Sequence, residues 1–442
     1  MQVVLLRNPV FTPLAAFTGI RSGGSYWLRI AVAFLLILTF ASTACAQELV
    51  IESWRKDDQI FWDKVIIPAF QRKHPSVRLK FSPEEALAYD SKLDARLATR
   101  HAGDLIFCRP FDASVQIHTK GYLTPLNETQ LKNFTPSARR AWSSDDGKTT
   151  YCLPVAYVIH GLIYNKQIFR QMKVEPPETL SEFMEVLKKI AQTQSSIPLA
   201  LGTADMWEST QVIFTGLGPN FWGGEKARQG LISGTHKFTD PDFIRVWQMM
   251  RGLKPYMHPK QSEMSNADIQ LLFATGQAAI YPTGSWDIDF LRNTSFAYRK
   301  NIEMGVFKPP VENKGQRCHL SVHPDFGIGI NKNTKHPEAA QLFLDWLGTA
   351  DFAQLLTDTL SGFYSLSNHP VTVNDPLGQD MLNWRKECDD TIRLNAERLN
   401  RVWPPLEDEL RYVNVKVINQ EMTPQQAGQH IQHIHEKNAY LR

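Results

Sequence analysis

The feature that most constrains this chain is the alternation of short apolar runs with amphipathic segments. LVIES at 49–53 is typical of a buried strand, 60–70 has helical periodicity, and HPSVRLKF after it is again strand-like. The alternation returns at 96–126, where GDLIFCRPF predicts a buried strand and SVQIHTKGYLTPL a short helix leading into a loop. Strands that alternate with helices indicate an α/β fold with substantially parallel sheets.

The N-terminus carries an uninterrupted apolar run, IAVAFLLILTF, which follows Arg7, Arg21 and Arg29. The run is shorter than the about 20 apolar residues that a membrane-spanning helix needs, and Ala44-x-Ala46 after it fits a signal-peptidase site. This pattern predicts a signal peptide at 1–46 and export to the periplasm. Two other interpretations are a lipid-modified Cys45, because STAC resembles a degraded lipobox, and an uncleaved anchor.

The charge balance bears on the class of partner. Without residues 1–46 the chain carries 45 basic and 45 acidic side chains, so its formal charge is zero. Proteins that bind nucleic acid or anionic membranes normally show a basic surplus. We therefore predict neither partner.

The length bears on the number of domains. The remaining roughly 400 residues exceed what one hydrophobic core usually supports. The sequence contains no internal repeat and no clean linker between consecutive domains. We therefore expect two lobes built from interleaved chain segments.

Four cysteines follow the predicted signal peptide: Cys108, Cys152, Cys318 and Cys388. An even number in an oxidising compartment indicates disulfides. Four cysteines allow three connectivities, and the sequence does not choose among them.

Local signals predict helix starts near residues 180, 241, 337 and 424. Thr179-x-x-Glu182 and Thr423-x-x-Gln426 have capping-box spacing, and prolines at 241, 337 and 424 suit a first helical turn. DDGK at 145–148 predicts a hairpin turn before a long extended run at 151–164.

Signatures of catalysis are missing from the sequence. It contains no Gly-rich phosphate loop, HExxH, GxSxG or paired Cys/His spacing. Two weak metal candidates, Cys318-His319 with His323 and the trio His430, His433 and His435, lack a carboxylate or a further thiol at ligand spacing. We therefore predict no catalytic residue, no metal and no cofactor.

Carboxylates keep a glycosidase open as an alternative. Such an enzyme needs two carboxyl groups held about 5 to 10 Å apart, and the candidates are Glu52, Asp112, Asp287 and Asp325. A single carboxylate more often has a structural or ligand hydrogen-bonding role.

The tryptophans carry the functional signal. Trp54, Trp207, Trp222 and Trp286 lie at the ends of predicted elements or beside glycines, whereas Trp247 and Trp346 lie inside helical apolar patterns and are assigned to the core. In GQAAIYPTGSWDI at 276–288, a buried strand leads through a turn to Trp286. An aromatic ring on a loop beside polar groups suits a sugar, whose flat face stacks on it. The alternative is that each ring plugs the end of a core.

Five segments in order resemble the extracellular sugar-binding proteins of ATP-binding-cassette (ABC) importers, the group that includes maltose-binding protein. The resemblance runs from about Leu49 to the C-terminus. The segments are ESWRKDDQIFWDKVIIPAFQRKHPSVRLKF, GDLIFCRPFDASVQIHTKGYLTPL, YCLPVAYVIHGLIYNKQIF, GQAAIYPTGSWDI and FGIGINKNTKHPEAAQLFLDWL.

The resemblance implies a fold and its boundaries. The fold is the two-lobed periplasmic-binding-protein fold of class II, in which each lobe is a mixed, mostly parallel sheet flanked by helices, with hinge strands between the lobes. The implied N-terminal lobe is 47–155 with 306–362, and the implied C-terminal lobe is 156–305 with 363–442.

The resemblance also implies a ligand cleft between the lobes, with Trp54 on one wall and Trp286, after Ser285, on the other. The other implied ligand contacts are Arg109, Phe111, Asp112, Tyr157, His160, Trp207, Trp222, Asp325 and Phe326. The sequence departs from the family pattern at 323–326, where HPDF replaces consecutive glycines, and at Arg109, which replaces an aromatic or small residue. A guanidinium pairs with a carboxylate or brackets hydroxyls, so both acidic and neutral sugars fit.

The predicted function is capture of a sugar, in particular an oligosaccharide, by a monomeric protein that closes on it and delivers it to an ABC permease. Three alternatives remain: a secreted glycoside hydrolase or lyase, the same fold binding a polyamine, metal chelate or other solute, and a sensor kinase as partner in place of the permease.

Overall fold

The computed structural model describes residues 47–401 and 404–437. The predicted signal peptide, with Cys45, lies outside the described residues. In the described part of the chain, no helix combines the length and the hydropathy that a membrane crossing requires.

A mixed β-sheet organises the described residues, with the strand order β2-β1-β3-β8-β4-β6-β5; β7 and β9 pair with β4, and β10 pairs with β8. The strands are β1 Gln47–Ser53, β2 Val77–Pro83, β3 Leu105–Cys108, β4 Leu153–Asn165, β5 Ile197–Leu199, β6 Ala278–Gly284, β7 Met304–Phe307, β8 His319–Ile330, β9 Tyr364–Ser365 and β10 Asp389–Thr391.

Strand β4 belongs to both halves of the sheet. From Leu153 to Ile159 it pairs antiparallel with β8, which connects it to β3, β1 and β2. From His160 to Asn165 it pairs with β6 and β7. The extended run predicted at 151–164 is therefore confirmed, and it crosses from one half of the sheet to the other.

Strand direction follows the chain connections. The pairs β1–β2, β1–β3 and β5–β6 are parallel, and helical segments connect their strands. Strand β4 is antiparallel to β6, β7 and β8, and β8 is also antiparallel to β3, whereas the short β10 pairs parallel with β8. The predicted α/β class is confirmed, with parallel pairs on the outside and antiparallel pairs at the crossing.

Helices flank the sheet. Their bounds are Gln59–Phe61, Ile67–Lys73, Ala86–Ala98, Asp112–Thr119, Glu128–Leu131, Pro136–Arg140, Lys166–Met172, Leu180–Thr193, Pro219–Trp222, Gly224–Ser233, Pro241–Leu253, Asn266–Ala274, Ile288–Ala297, Pro337–Leu347, Ala350–Thr359, Pro376–Trp384, Leu406–Ile418 and Pro424–Lys437. Two π-helical stretches are Trp62–Ile66 and Glu208–Leu217, and 3-10 turns are Lys56–Asp58, Lys254–Tyr256, Gln261–Glu263 and Ser285–Asp287.

The four predicted helix starts are confirmed, because the local chemistry fixes them. The Thr179 side chain accepts from the Glu182 N–H at 3.3 Å, and the Glu182 carboxylate accepts from the Thr179 N–H at 3.0 Å. The Thr423 and Gln426 pair forms the same reciprocal bonds, at 3.2 and 3.0 Å. These bonds satisfy backbone donors that have no partner in a first helical turn.

Both faces of the central strands are covered. All four residues of β3 and all seven of β6 are buried, as expected for strands with helices on both sides. Trp247 and Trp346, assigned to the core from the sequence, are buried as predicted.

The structure selects one of the three possible cysteine pairings. Cys108, at the end of β3, is bonded to Cys152, just before β4. Cys318, just before β8, is bonded to Cys388, just before β10. Each bond therefore links segments that enter or leave the sheet.

The turn after β6 is anchored to the loop before β9. The Ser285 hydroxyl accepts from the Ile159 N–H at 3.1 Å and donates to the Gly362 carbonyl at 2.5 Å. Gly362 has a φ of +87°, and a Cβ there would lie 2.1 Å from the Ser285 carbonyl oxygen, so only glycine fits. Ser285 thus ties β4, β6 and the 362 loop together.

We expect the Cys108–Cys152 bond to contribute substantially to stability. It closes a loop with a sequence separation of 44 residues, and loss of such a cross-link typically lowers the free energy of unfolding by about 2 to 4 kcal/mol. Urea unfolding of the double variant Cys108→Ala, Cys152→Ala should show this loss. Because alanine also removes buried sulfur atoms, the matched comparison is a Cys318→Ala, Cys388→Ala variant with and without reductant, in which only Cys108–Cys152 can be reduced; an unchanged midpoint in both experiments would contradict the expectation.

Candidate functional site

Trp54 lies directly after β1 and is 8% exposed. The Arg109 guanidinium lies over its ring, 4.3 Å from the centroid, and Tyr89 and Phe107 pack against it. Arg109 is held in place by Asp90, whose carboxylate oxygens accept from Nε at 2.9 and 2.8 Å. The positive charge of Arg109 is therefore already compensated at this wall.

Trp286 lies in the turn after β6 and is 9% exposed. The His160 ring packs edge-on against the indole at 4.9 Å, and the Arg393 guanidinium lies 5.8 Å from the ring centroid. Arg393 Nε donates to His160 Nε2 at 3.2 Å. Burial, with the nearby charge of Arg393, lowers the pKa of His160 well below its usual value, so the ring is a neutral acceptor.

Charged groups connect these two walls. Burial lowers the pKa of Arg393 to about 10, although Asp325 and Glu407 attract its charge. Burial raises the pKa of Asp325, against the attraction of Arg55 and Arg393. Arg109 also acts on both Asp325 and Arg393, so the groups beside Trp54 and those beside Trp286 belong to one electrostatic cluster.

Glu407, in helix Leu406–Ile418, gathers three side chains of this cluster. Its carboxylate accepts from Gln211 Nε2 at 2.8 Å, from Asn395 Nδ2 at 3.2 Å and from the Arg411 guanidinium. Burial alone would raise the pKa of Glu407, but Arg411, Gln211 and Arg109 more than offset this and hold the pKa below its usual value. Glu407 is thus an ionised, fully engaged anchor.

Glu208 follows Trp207 and opens the π-helical stretch. The side chain is 2% exposed, and apart from the residue's own backbone N–H its carboxylate oxygens have no hydrogen-bond partner among residues 47–401 and 404–437. Burial raises its pKa to about 8; its own backbone N–H and Arg411 oppose the shift, whereas Asp205 and Asp287 add to it.

Further buried polar atoms of the cluster lack a partner within the described ranges. They are Gln211 Oε1, Asn395 Oδ1, Asp325 Oδ2, Arg411 Nε and His160 Nδ1. Buried polar side-chain atoms in native proteins are nearly always hydrogen-bonded, so such a concentration indicates a place where a ligand supplies the missing partners.

Two of the implied ligand contacts hold backbone in place. Ser285 ties the sheet to the 362 loop, as described above. Asp112 accepts from the Arg398 N–H at 2.9 Å, the Asn400 N–H at 3.0 Å and Arg401 Nε at 2.6 Å. It thereby anchors the segment that follows Arg393 and Asn395.

Two other implied ligand contacts, Trp222 and Phe326, are packed against apolar side chains. The Trp222 ring is stacked on Phe243 at 5.2 Å. Phe326 is fully buried and stacked on Phe107 at 4.6 Å. Protein atoms therefore cover these rings, and the structure does not bring them to the polar cluster.

Three further implied ligand contacts are Phe111, Tyr157 and Trp207. Phe111 is buried 6.4 Å from the His323 ring. The Tyr157 hydroxyl accepts from Arg385 at 2.8 Å, and its ring lines a separate depression of about 300 Å³. Trp207 is half-buried beside Glu208.

Sequence reasoning missed Glu208, Gln211, Arg393, Asn395 and Glu407. For the first two a signal existed: polar residues three apart in the apolar run ESTQVIFTGL are unusual in a buried helix. Arg393, Asn395 and Glu407 carry no local signal, because they reach the cluster through contacts distant in sequence.

Several side chains that were candidates for a metal site or a glycosidase pair are bonded to other groups of the protein. Cys318 is in a disulfide, and His430 Nε2 lies 2.6 Å from Glu409. Nowhere in the described part of the chain do three or more His, Cys, Asp or Glu side chains form a group that could hold a metal ion. Of the candidate glycosidase carboxylates, Glu52 is paired with Arg96, and Asp287 accepts from Tyr281, Thr283 and Gln270.

Several sugar-binding proteins are similar to this chain. A multiple sugar-binding protein of Streptococcus mutans is 22% identical over 70% of this chain and 71% of its own length. A galactooligosaccharide-binding protein of Bacillus subtilis is also 22% identical, over 84% and 86%. The solved structure of a chitin oligosaccharide binding protein, 21% identical, covers 89% of this chain and 99% of its own with a TM-score of 0.74.

The structural likeness confirms the predicted two-lobed periplasmic-binding-protein fold. The sequence also matches the profile of the bacterial extracellular solute-binding proteins over residues 56–354, about two thirds of the chain. The chain therefore belongs to the family of bacterial extracellular solute-binding proteins.

Proposed function

We propose that this protein captures a sugar, in particular an oligosaccharide, in the cleft between its lobes and delivers it to the permease of an ABC importer. The names of its relatives in Streptococcus mutans and Bacillus subtilis support a saccharide ligand. The family supports export and a transport role.

One observation carries the proposal: two indole rings contact guanidinium groups of one electrostatic cluster, several of whose buried polar atoms lack partners among the described residues. Trp54 comes from the end of β1 and Trp286 from the turn after β6, in different halves of the sheet. A pyranose has an apolar face that stacks on an indole and a rim of hydroxyls that satisfy unpaired acceptors and donors. Such a ligand matches both features at once.

The lobes are proposed at 47–155 with 306–362 and at 156–305 with 363–442. Trp54, Arg109 and Asp325 then belong to the first lobe, and Glu208, Trp286, Arg393 and Glu407 to the second. A ligand that touches both groups binds the closed form better than the open form, and this difference in affinity drives closure.

The remaining attributes follow from this role. The protein acts in the periplasm as a monomer after removal of residues 1–46, and it returns its ligand unaltered. Its closed surface is presented to the membrane subunits of the importer.

Removal of the Trp286 ring should weaken binding strongly. A saccharide at 100 times its Kd adds about 2.7 kcal/mol to the stability of the wild-type protein, which a thermal-shift assay detects. Truncation of a central stacking aromatic typically costs about 2 kcal/mol or more, so Trp286→Ala and Trp54→Ala should each lower affinity about 30-fold. Calorimetric titration with the saccharide found in the screen measures this.

Phe296→Ala is the matched control for these variants. Phe296 ends the helix that follows Trp286, but it is 75% exposed, so its loss should leave affinity unchanged. A saccharide that binds both tryptophan variants as tightly as it binds this control would remove the indole rings from the site.

Ligand-driven closure should be visible in solution. We expect the radius of gyration from small-angle scattering to fall when the saccharide saturates the protein, because the ligand favours the state in which both lobes contact it. The Trp54→Ala variant at the same ligand concentration should remain more open. Identical scattering with and without ligand at saturation would rule out this mode of capture.

A further inference from the structure

We propose that Glu208, Gln211 and Asn395 form a subsite for a protonated amino group, so that the ligand is an oligosaccharide with at least one free amine. This inference rests on the proposed function, which it narrows from saccharides in general to amino sugars. Glu208 is then the residue that determines specificity.

The orientation of two amide groups supports the subsite. The NH₂ groups of Gln211 and Asn395 both donate to the Glu407 carboxylate, at 2.8 and 3.2 Å. A carboxylate accepts only, so these bonds fix which end of each amide is the nitrogen. Both amide oxygens therefore point away from Glu407, and both are buried without a partner within the described ranges.

The unpaired groups of the cluster are mainly acceptors. They include both oxygens of Glu208, the amide oxygens of Gln211 and Asn395, and one oxygen of Asp325, against Arg411 Nε, His160 Nδ1 and the ring nitrogen His323 Nδ1. With Glu208 ionised, the ligand must therefore bring more donors than acceptors. A hydroxyl donates one hydrogen bond, whereas a protonated amine donates three and accepts none.

Charge distinguishes an amine from a neutral sugar. The charged groups that act on the Glu208 carboxyl are Asp205, Asp287 and Arg411, two anions and one cation. Arg411 is already bonded to Glu407. An ionised Glu208 would therefore share Arg411 with Glu407, and a ligand ammonium would supply a further cation as a charge-assisted hydrogen-bond donor.

An acidic sugar fits less well. Arg55 donates to the Asp58 carboxylate at 2.7 and 3.0 Å, and Arg109 is bonded to Asp90. Arg393 faces Asp325 and Glu407. A uronic acid would therefore find Arg55 and Arg109 already paired with carboxylates, and only Arg393, which bonds to His160, open to its carboxylate.

The test compares two ligands that differ only at nitrogen: a β-1,4-linked glucosamine tetramer and its N-acetylated counterpart. Calorimetric titration at pH 5.5, where the amines are charged, should give about tenfold tighter binding or more for the glucosamine tetramer.

Burial raises the pKa of Glu208 to about 8, so at pH 5.5 its carboxyl group is protonated before the ligand binds. Amine binding should release close to one proton, measured from titrations in buffers of different ionisation enthalpy.

Variants assign the effect to Glu208. Glu208→Gln keeps the shape but not the charge, and should lose both the tenfold preference and the proton release. Glu263→Gln removes the same charge from an exposed position and should keep both. Because preference and proton release are measured on the wild-type protein as well, the test stands even if Glu208→Gln does not fold.

Each outcome has a distinct meaning. Preference for the amine, lost in Glu208→Gln alone, supports the inference. Neutral oligosaccharides that bind equally well or better, in a Trp286-dependent manner, would overturn it and leave the proposed function intact. An amine preference that survives Glu208→Gln would remove Glu208 from the subsite. Failure of every saccharide to bind would overturn the proposed function, and the inference with it.

Discussion

The continuous pairing of β4 with both halves of the sheet is the constraint on which the rest of the structure depends. Its antiparallel register sets His160 opposite Gly284, two residues before Trp286. Strand side chains alternate with a period of two, so a shift of one residue would turn His160 away from that indole. The same strand pairs with β8 up to Ile159, and Asp325 lies where this ladder shifts register, between Phe326 opposite Ala156 and Pro324 opposite Tyr157. One continuous strand therefore positions candidate site residues in both halves of the sheet.

The cluster contains polar groups that are bonded within the protein and others that are not. Glu407 accepts from three side chains, and Arg109 and Arg55 each hold a carboxylate. The charges of these three side chains are therefore balanced by protein groups and need no ligand. Glu208 and the far ends of the amides are the opposite case, because their neighbours are fixed but offer them no bond. The paired groups hold one another in place, and the unpaired ones are those to which we assign the specificity.

Much of the fold was predictable because its signals are local. The capping box at Thr179 and Glu182 and the run into β6 depend on residues a few positions apart. Trp54 and Trp286 were likewise marked by their place after a strand. Glu407 was not marked by any local pattern. It has a role only because the folded chain brings it together with Gln211, Asn395 and Arg411. Sequence patterns also could not separate an anchor such as Asp112 from a ligand contact, because both are carboxylates beside a strand end.

The unpaired atoms fit the reversible capture that we propose. In the open form of that mechanism, water would bond to Glu208, Gln211 and Asn395, so their polarity would carry no penalty. On closure without ligand these groups lose their hydrogen bonds to water and gain none in return. This costs about 1 to 3 kcal/mol for each unsatisfied group. A ligand that supplies donors removes that penalty in the closed form only. Its affinity therefore differs between the two states, and that difference is the free energy available for closing the lobes.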